Sequence, residues 1–109
     1  MKKEIIDQEI IQYIGLNDLD PVDQEMVKKL VDEYSYKVKR VLHNVTSLVL
    51  HIKRHSKGGN RDRIEISLRA LAPTRIFEVG KTEDWDLARA VHKAFKDILR
   101  EIEHEYKQN

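Results

Sequence analysis

The chain has 109 residues, of which 40% are hydrophobic and 36% charged, which suits a single domain with one modest core. It contains no cysteine, which excludes disulfide bonds, thiolate metal sites and a cysteine nucleophile. No apolar run approaches the length of a membrane span (about 18 residues), and the N-terminus lacks the apolar stretch of a signal peptide. We therefore expect one domain, residues 1–109, in the cytoplasm.

The net charge of +1 hides a strong segregation of charge along the chain. Residues 1–33 carry 4 basic and 9 acidic side chains, residues 34–81 carry 11 and 3, and residues 82–109 carry 5 and 7. A basic segment of this kind points to an anionic partner, most often nucleic acid. The alternative is a soluble domain whose strands are simply basic.

The first two predicted elements are a strand and a helix. The Ile-rich segment EIIDQEIIQYIGL predicts a strand that ends near Gly15. In the helix that follows, Asp20 can cap the N-terminus and Pro21 suits the first helical position. Apolar residues then recur on one broad helical face. They are Met26, Val27, Leu30, Val31, Tyr34, Val38, Val41 and Leu42.

Three strands and a second helix are predicted next. NVTSLVLHIKRH and RIEISLRAL both alternate, which is typical of half-buried strands, and SKGGNRD forms the turn between them. Their buried positions would be Leu48, Leu50, Ile52, Ile64, Ile66 and Leu68. Pro73 precedes a short fourth strand, RIFEV, and a helix is predicted from about Asp84 to Tyr106. Its buried face would contain Leu87, Val91, Ala94, Phe95, Ile98 and Ile102.

The predicted order is β-α-β-β-β-α, which indicates an α+β fold in two layers. The last three strands form an antiparallel meander, and the first strand joins the same sheet through the first helix. Both helices then cover one face of a four-stranded sheet. The other face is left polar and carries many of the basic side chains.

Gly80-Lys81-Thr82 resembles the end of a phosphate-binding loop. That loop requires another glycine five residues before Gly80, where this chain has Arg75. We therefore interpret Thr82 as a cap of the second helix. Three carboxylates in or near the first turn would also repel a phosphate. They are Glu83, Asp84 and Asp86.

Metal and catalytic sites find no support in the sequence. His51 and His55 would lie roughly 13 Å apart along a strand, and His92 and His104 about 18 Å apart along a helix. No serine lies in the Gly-x-Ser-x-Gly setting of a nucleophile. We expect no metal, no cofactor, no small-molecule substrate and no enzymatic activity.

The main candidate surface lies on the second helix. Four basic residues fall in one column there, nearly opposite the buried face, at spacings of four, three and four residues. They are Arg89, Lys93, Lys96 and Arg100. Either an anionic ligand or neighbouring acids such as Asp97 and Glu103 would relieve their mutual repulsion.

A second set of basic candidates comes from the first helix and from the surroundings of the glycine turn. Lys28 and Lys39 share a line of the first helix with Ser35. Aromatic residues are only 6% of the chain and do not alternate with basic residues on any strand, which disfavours base stacking on the sheet. Binding by shape and backbone charge is therefore expected. The second set is Lys28, Lys39, Lys53, Arg54, Arg61 and Arg63.

Five segments contain the predicted strands and helices. They are YIGLNDLDPVDQEMVKKLVDEYSYKVKRV, VTSLVLHIKRH, RIEISLRAL, RIFEVGKTED and DLARAVHKAFKDILREIEH. In this order they resemble the ribosome hibernation-promoting factors, also called ribosome-associated translation inhibitors. The resemblance covers nearly the whole chain. Ala88 and His92 stand where that family usually has a tyrosine and an aspartate.

The resemblance implies a domain related in shape to double-stranded-RNA-binding domains. Such a domain binds the small ribosomal subunit in the channel for messenger and transfer RNA and holds ribosomes inactive. Its partners would be ribosomal RNA and ribosomal proteins, and the chain would be the short form, without the C-terminal dimerisation domain of longer members. The alternative is a protein-interaction or scaffold domain of the same fold that binds no RNA.

Overall fold

The computed structural model describes residues 11–43, 45, 47–56 and 62–107. Its elements are β1 (Ile11–Ile14), α1 (Pro21–Val41), β2 (Ser47–Ser56), β3 (Asp62–Ala72), β4 (Arg75–Asp84) and α2 (Leu87–Lys107). The early part of the predicted first strand and most of the SKGGNRD turn lie outside the described residues. No helix in the described part of the chain is long and apolar enough to cross a membrane.

The sheet confirms the predicted topology. Its strand order is β1-β2-β3-β4, with β1 parallel to β2 and both other pairs antiparallel. The two helices pack against the same face, and α2 lies over β3 and β4 and beside α1. The β-α-β-β-β-α order and the two-layer α+β fold are therefore both as predicted.

The start of α1 follows its local sequence. The backbone of Asp20 is extended, and its carboxylate accepts the N–H of Asp23 at 2.8 Å. Pro21 takes the first helical position, where its missing N–H would have had no partner inside the helix. This capping chemistry needs no tertiary contact, which is why the sequence alone locates the helix start.

Ser35 corrects the prediction for the surface of α1. The sequence places it on one line of the helix with the binding candidates Lys28 and Lys39, but it is 5% exposed. Its hydroxyl donates to the carbonyl oxygen of Asp32, 2.9 Å away. A serine that satisfies its own hydroxyl within the helix can be buried without an outside partner.

The core lies between the sheet and the two helices. All six strand residues predicted to be buried are 5% exposed or less, and the α2 residues from Ala90 to Ile102 on its inner face are fully buried. Between the helices, Phe95 stacks on Tyr34, with ring centroids 4.9 Å apart and planes 3° from parallel. The Tyr34 hydroxyl shares a 2.6 Å hydrogen bond with Nδ1 of His92. This contact fixes how α2 lies against α1.

β4 is twice as long as predicted and contains a bulge. Thr82, interpreted from the sequence as a helix cap, is a buried strand residue opposite Ile66. Gly80 and Lys81 together face the single residue between Ile66 and Leu68, and Lys81 has a φ of +48°. Glycine beside a left-handed residue suits a bulge as well as a turn, so the local pattern alone did not distinguish them.

α2 begins three residues later than predicted. Asp86 is its cap, since its carboxylate accepts the N–H of Arg89 at 2.9 Å and its carbonyl accepts the N–H of Ala90. Asp84, predicted to open the helix, is instead the last residue of β4. The helix ends at Lys107.

Gly15 ends β1 as predicted, and its position requires glycine. Its φ is +88°, a left-handed conformation that side chains rarely adopt. A Cβ at this position would also collide with the carbonyl oxygen of Ile52 on β2. The chain can therefore turn away from β1 while passing close to the neighbouring strand.

Candidate nucleic-acid interface

The predicted basic column lies on the exposed side of α2. The side chains of Arg89, Lys93 and Arg100 are 63%, 50% and 76% exposed, and Lys96 is exposed as well. From the first to the last member the column extends about 16 Å, at 1.5 Å of rise per helical residue. One rigid element therefore presents all four cations.

Asp84 holds two members of the column in place. Its side chain is 6% exposed, and its Oδ2 lies 2.9 Å from Nε of Arg89 and 2.8 Å from Nζ of Lys93. Its other oxygen accepts the N–H of Asp86, and Lys93 also lies 3.5 Å from the carbonyl oxygen of Glu83. The carboxylate lies beneath the two cations, so their outer sides remain open to solvent.

The contacts with Arg89 and Lys93 lower the pKa of Asp84. Hydrogen bonds from Arg89 and then Lys93, followed by the N–H of Asp86, hold the pKa well below its ordinary value of 3.8. The contact with Asp84 also raises the pKa of Arg89. Asp84 and Arg89 are therefore charged at neutral pH, and two basic side chains contact one buried carboxylate.

We predict that Asp84→Asn destabilises the fold in a pH-dependent way. A carboxyl group with a lowered pKa in the folded state contributes its full stabilisation above its unfolded pKa of about 4, and loses it as the pH falls towards the folded value. The stability difference between wild type and variant should be large at pH 7 and shrink below about pH 4. Urea unfolding at pH 7, 5 and 3 measures it, and a difference that does not change with pH would contradict the prediction.

The outer half of the column is less constrained. Arg100 Nη1 lies 3.4 Å from Oδ1 of Asp97, and both side chains are well exposed, so the pair contributes little to stability. No ion pair to Lys96 is found in the described part of the chain. The sequence left open whether the column is free or paired. The structure shows pairing at Arg89, Lys93 and Arg100.

The candidates on α1 lie towards the other edge of the sheet. Lys28 and Lys39 flank Asp32 on the helix. Burial, and to a smaller extent the charge of Asp32, raises the pKa of Tyr13 to about 12. Tyr13 is on β1, so this side of α1 faces the β1 edge. The α2 column lies over the opposite edge. The two sets do not form one surface.

The candidates on β2 are also divided. Lys53 lies on the open sheet face, opposite Glu65 in register. Arg54, the next residue, faces the helix layer, and its Nε is 3.3 Å from Asp62. Arg61 lies outside the described residues. Adjacent strand residues point to opposite faces of the sheet, so Lys53 and Arg54 cannot both belong to the same binding surface.

The open sheet face carries basic side chains as predicted, but two of its arginines are paired with acids. Arg69 Nε lies 3.2 Å from Glu78, and Arg63 Nε lies 3.9 Å from Glu83, each pair across β3 and β4. Cross-strand pairing of this kind offsets the charge of these two arginines. The sheet is therefore a weaker candidate for RNA binding than α2.

Glu65 is a buried carboxylate on the same face. Its Oε1 lies 2.9 Å from Nε2 of His55. This hydrogen bond is the largest cause that lowers the pKa of Glu65, and the charges of His55, Lys53 and Lys81 add to it. His55 thus has a hydrogen-bond partner in the carboxylate of Glu65, and His92 has one in the hydroxyl of Tyr34. Among the described residues no three histidine or acidic side chains form a group that could hold a metal ion.

Trp85 is a functional candidate that the sequence did not reveal. It is the only tryptophan of the chain, lies between β4 and α2, and is 52% exposed. It lines a pocket of about 460 Å³ together with Arg63, Glu83, Asp84, Arg89 and Lys93. The one available signal was an aromatic residue shortly before the basic column, which does not indicate whether its ring is exposed.

Comparison with known proteins does not assign a function to the basic column or to the surface around it. No protein-family model matches the chain, and a search of curated proteins finds no match to it. Functional interpretation therefore depends on the geometry of α2 and β4 and on the sequence resemblance described above.

Proposed function

We propose that this protein binds structured RNA, with the small ribosomal subunit as its target, and acts as a non-catalytic translation inhibitor. The supporting observation is the basic column of α2, in which Asp84 positions Arg89 and Lys93 while both side chains stay half exposed or more. Cations that are already held in place lose less side-chain entropy when they bind a phosphate. Charge and reach are all that phosphate contacts require.

The fold supports the same proposal. Its order of elements agrees with that of the ribosome hibernation-promoting factors that the sequence resembles. A domain of that kind would bind ribosomal RNA by shape and backbone, and α2 is long enough for its column to face several phosphates. In this proposal the protein acts on cytoplasmic ribosomes and uses no cofactor.

Co-sedimentation with ribosomes tests the proposal. Tagged protein should migrate with small subunits or whole ribosomes on sucrose gradients at 50 mM salt. If about six phosphates are contacted, the affinity should fall by on the order of 10³ between 50 and 200 mM salt. Protein that stays at the top of the gradient at both salt concentrations would contradict the proposal.

A protein-interaction domain is the second candidate, and the open sheet face favours it. Ile14 and Ile76 are 50% and 55% exposed on this face, among charges that are already paired. A partner packed there would bind with little salt dependence. Ribosome association that resists both salt and nuclease treatment would favour this candidate over RNA binding.

A further inference from the structure

The exposed ring of Trp85 lies between two pockets. One, of about 460 Å³, is lined by cations of β3 and α2, and the other, of about 530 Å³, includes the apolar side chains of Leu19, Met26 and Leu87. An indole offers a large apolar surface that proteins normally cover. Its exposure beside two pockets marks a place where a flat ligand can contact the ring.

The charges of the first pocket favour an anionic ligand, whereas in the second pocket Asp23, Asp62 and Asp86 outnumber Arg54. Three cations and two carboxylates line the first pocket. The buried carboxylate, that of Asp84, already forms ion pairs with two of the cations. The pair between Arg63 and Glu83 is 3.9 Å long, at the outer limit of an ion pair. Among the described residues, Arg63 Nε is the one buried side-chain polar atom without a hydrogen-bond partner.

The carboxylate of Asp86, next to Trp85, lines the second pocket together with those of Asp23 and Asp62, so a phosphate is expected at the first pocket only. The Asp86 carboxylate accepts the N–H of Arg89 as the cap of α2, where the positive end of the helix dipole offsets part of its charge. A nearby phosphate would meet Arg89, Lys93 and then Lys96 along the helix. The ring and the column thus form one continuous surface with an aromatic end and a cationic end.

We propose that Trp85 stacks on an unpaired nucleobase of RNA, while Arg89 and Lys93 contact the phosphates that flank it. This inference rests on the proposed function and deepens it, because it places a single-stranded nucleotide beside the structured RNA. Every nucleobase has a flat π face, so the contact tolerates different sequences. A protein partner fits less well, since covering the ring would also strip water from three cations.

The single tryptophan permits a direct test. Titration of the wild-type protein with a six-nucleotide oligoadenylate should quench its fluorescence saturably, and part of the quenching should persist at 200 mM salt. The same length of RNA duplex should quench less, because its bases are stacked on one another. Binding of a labelled oligoadenylate, followed by fluorescence polarisation, should weaken roughly 5- to 100-fold in Trp85→Ala.

Two variants serve as controls. Trp85→Phe keeps a smaller ring and should retain part of the affinity. Tyr36→Ala removes an aromatic ring that is 70% exposed on α1, away from the column, and should bind like wild type. Thermal unfolding of each variant should confirm that the fold is intact, because a half-exposed ring contributes little to the core.

The outcomes separate this inference from the proposed function. If wild type co-sediments with ribosomes but shows no quenching, and Trp85→Ala binds equally well, stacking is wrong and the proposed function stands. If wild type binds neither ribosomes nor oligoadenylate, both are wrong. Quenching by ribosomal proteins and not by RNA would overturn the stacking inference in favour of a protein contact.

Discussion

Charge reversal of Lys93 and Lys96 together is expected to abolish most ribosome binding while the protein stays folded. Both side chains lie in the basic column, and neither contributes apolar surface to the core. Each phosphate contact that is lost should lower the salt dependence of binding by about one unit of slope, so the double variant should lose about two. Co-sedimentation over several salt concentrations measures both the affinity and the slope.

The two positions also differ in a useful way. Lys93→Glu places a carboxylate beside Asp84, so some loss of stability is expected from that change. Lys96→Glu disturbs no ion pair within the described residues and should weaken binding with unchanged stability. Comparison of the two single variants therefore separates RNA binding from folding.

The matched control is the double variant Lys29→Glu, Arg40→Glu on α1, which avoids the candidate residues Lys28 and Lys39. It changes the net charge by the same amount, on exposed residues of the other helix. If the interface is on α2, it should retain most of the binding and of the salt slope. Equal losses in both double variants would show that binding follows net charge alone, and unchanged binding in the α2 variant would exclude the column as the interface.

Phe95→Ala is expected to have the largest effect on stability. Phe95 is fully buried, and its ring stacks on Tyr34 between the two helices. Truncation of a buried phenylalanine to alanine typically costs about 3–5 kcal/mol through lost burial and the cavity left behind. Domains of this kind have roughly 5–15 kcal/mol in total, so the variant should be near the limit of folding.

Urea unfolding followed by far-UV circular dichroism measures this loss. Tyr36→Ala is the matched aromatic truncation at an exposed position and should change the free energy of unfolding by roughly 0.5 kcal/mol or less. Phe95→Leu should fall between the two variants because it leaves a smaller cavity. A loss below about 1 kcal/mol for Phe95→Ala would show that α2 can repack without this ring.

The same ring connects the fold to the proposed interface. Phe95 and the basic column lie on different sides of α2, so the way the ring packs on Tyr34 sets the rotation of the helix. A shift of α2 would move the cations relative to Asp84, which is on β4. Binding by partly folded Phe95→Ala should therefore weaken more than the folded fraction alone explains.

Features that depend on neighbours along the chain could be predicted from the amino-acid sequence. Every residue that the alternation predicts to be buried in β2 and β3 is buried in the structure. Asp20 and Pro21 likewise located the start of α1. The column on α2 was predictable because a helix has one regular geometry, which brings residues three and four apart together. Its ribosomal role stays a prediction, since it came from the resemblance and from charge.

Which charged side chains contact one another depends on the tertiary structure. Asp84 reaches Arg89 and Lys93 because β4 continues past a bulge at Gly80 and Lys81, and a bulge looks like a turn in the sequence. The arginines of β3 pair with glutamates of β4 through strand register, and the exposure of Trp85 depends on how β4 joins α2. Register and junction geometry arise from contacts between distant segments, which no local pattern encodes.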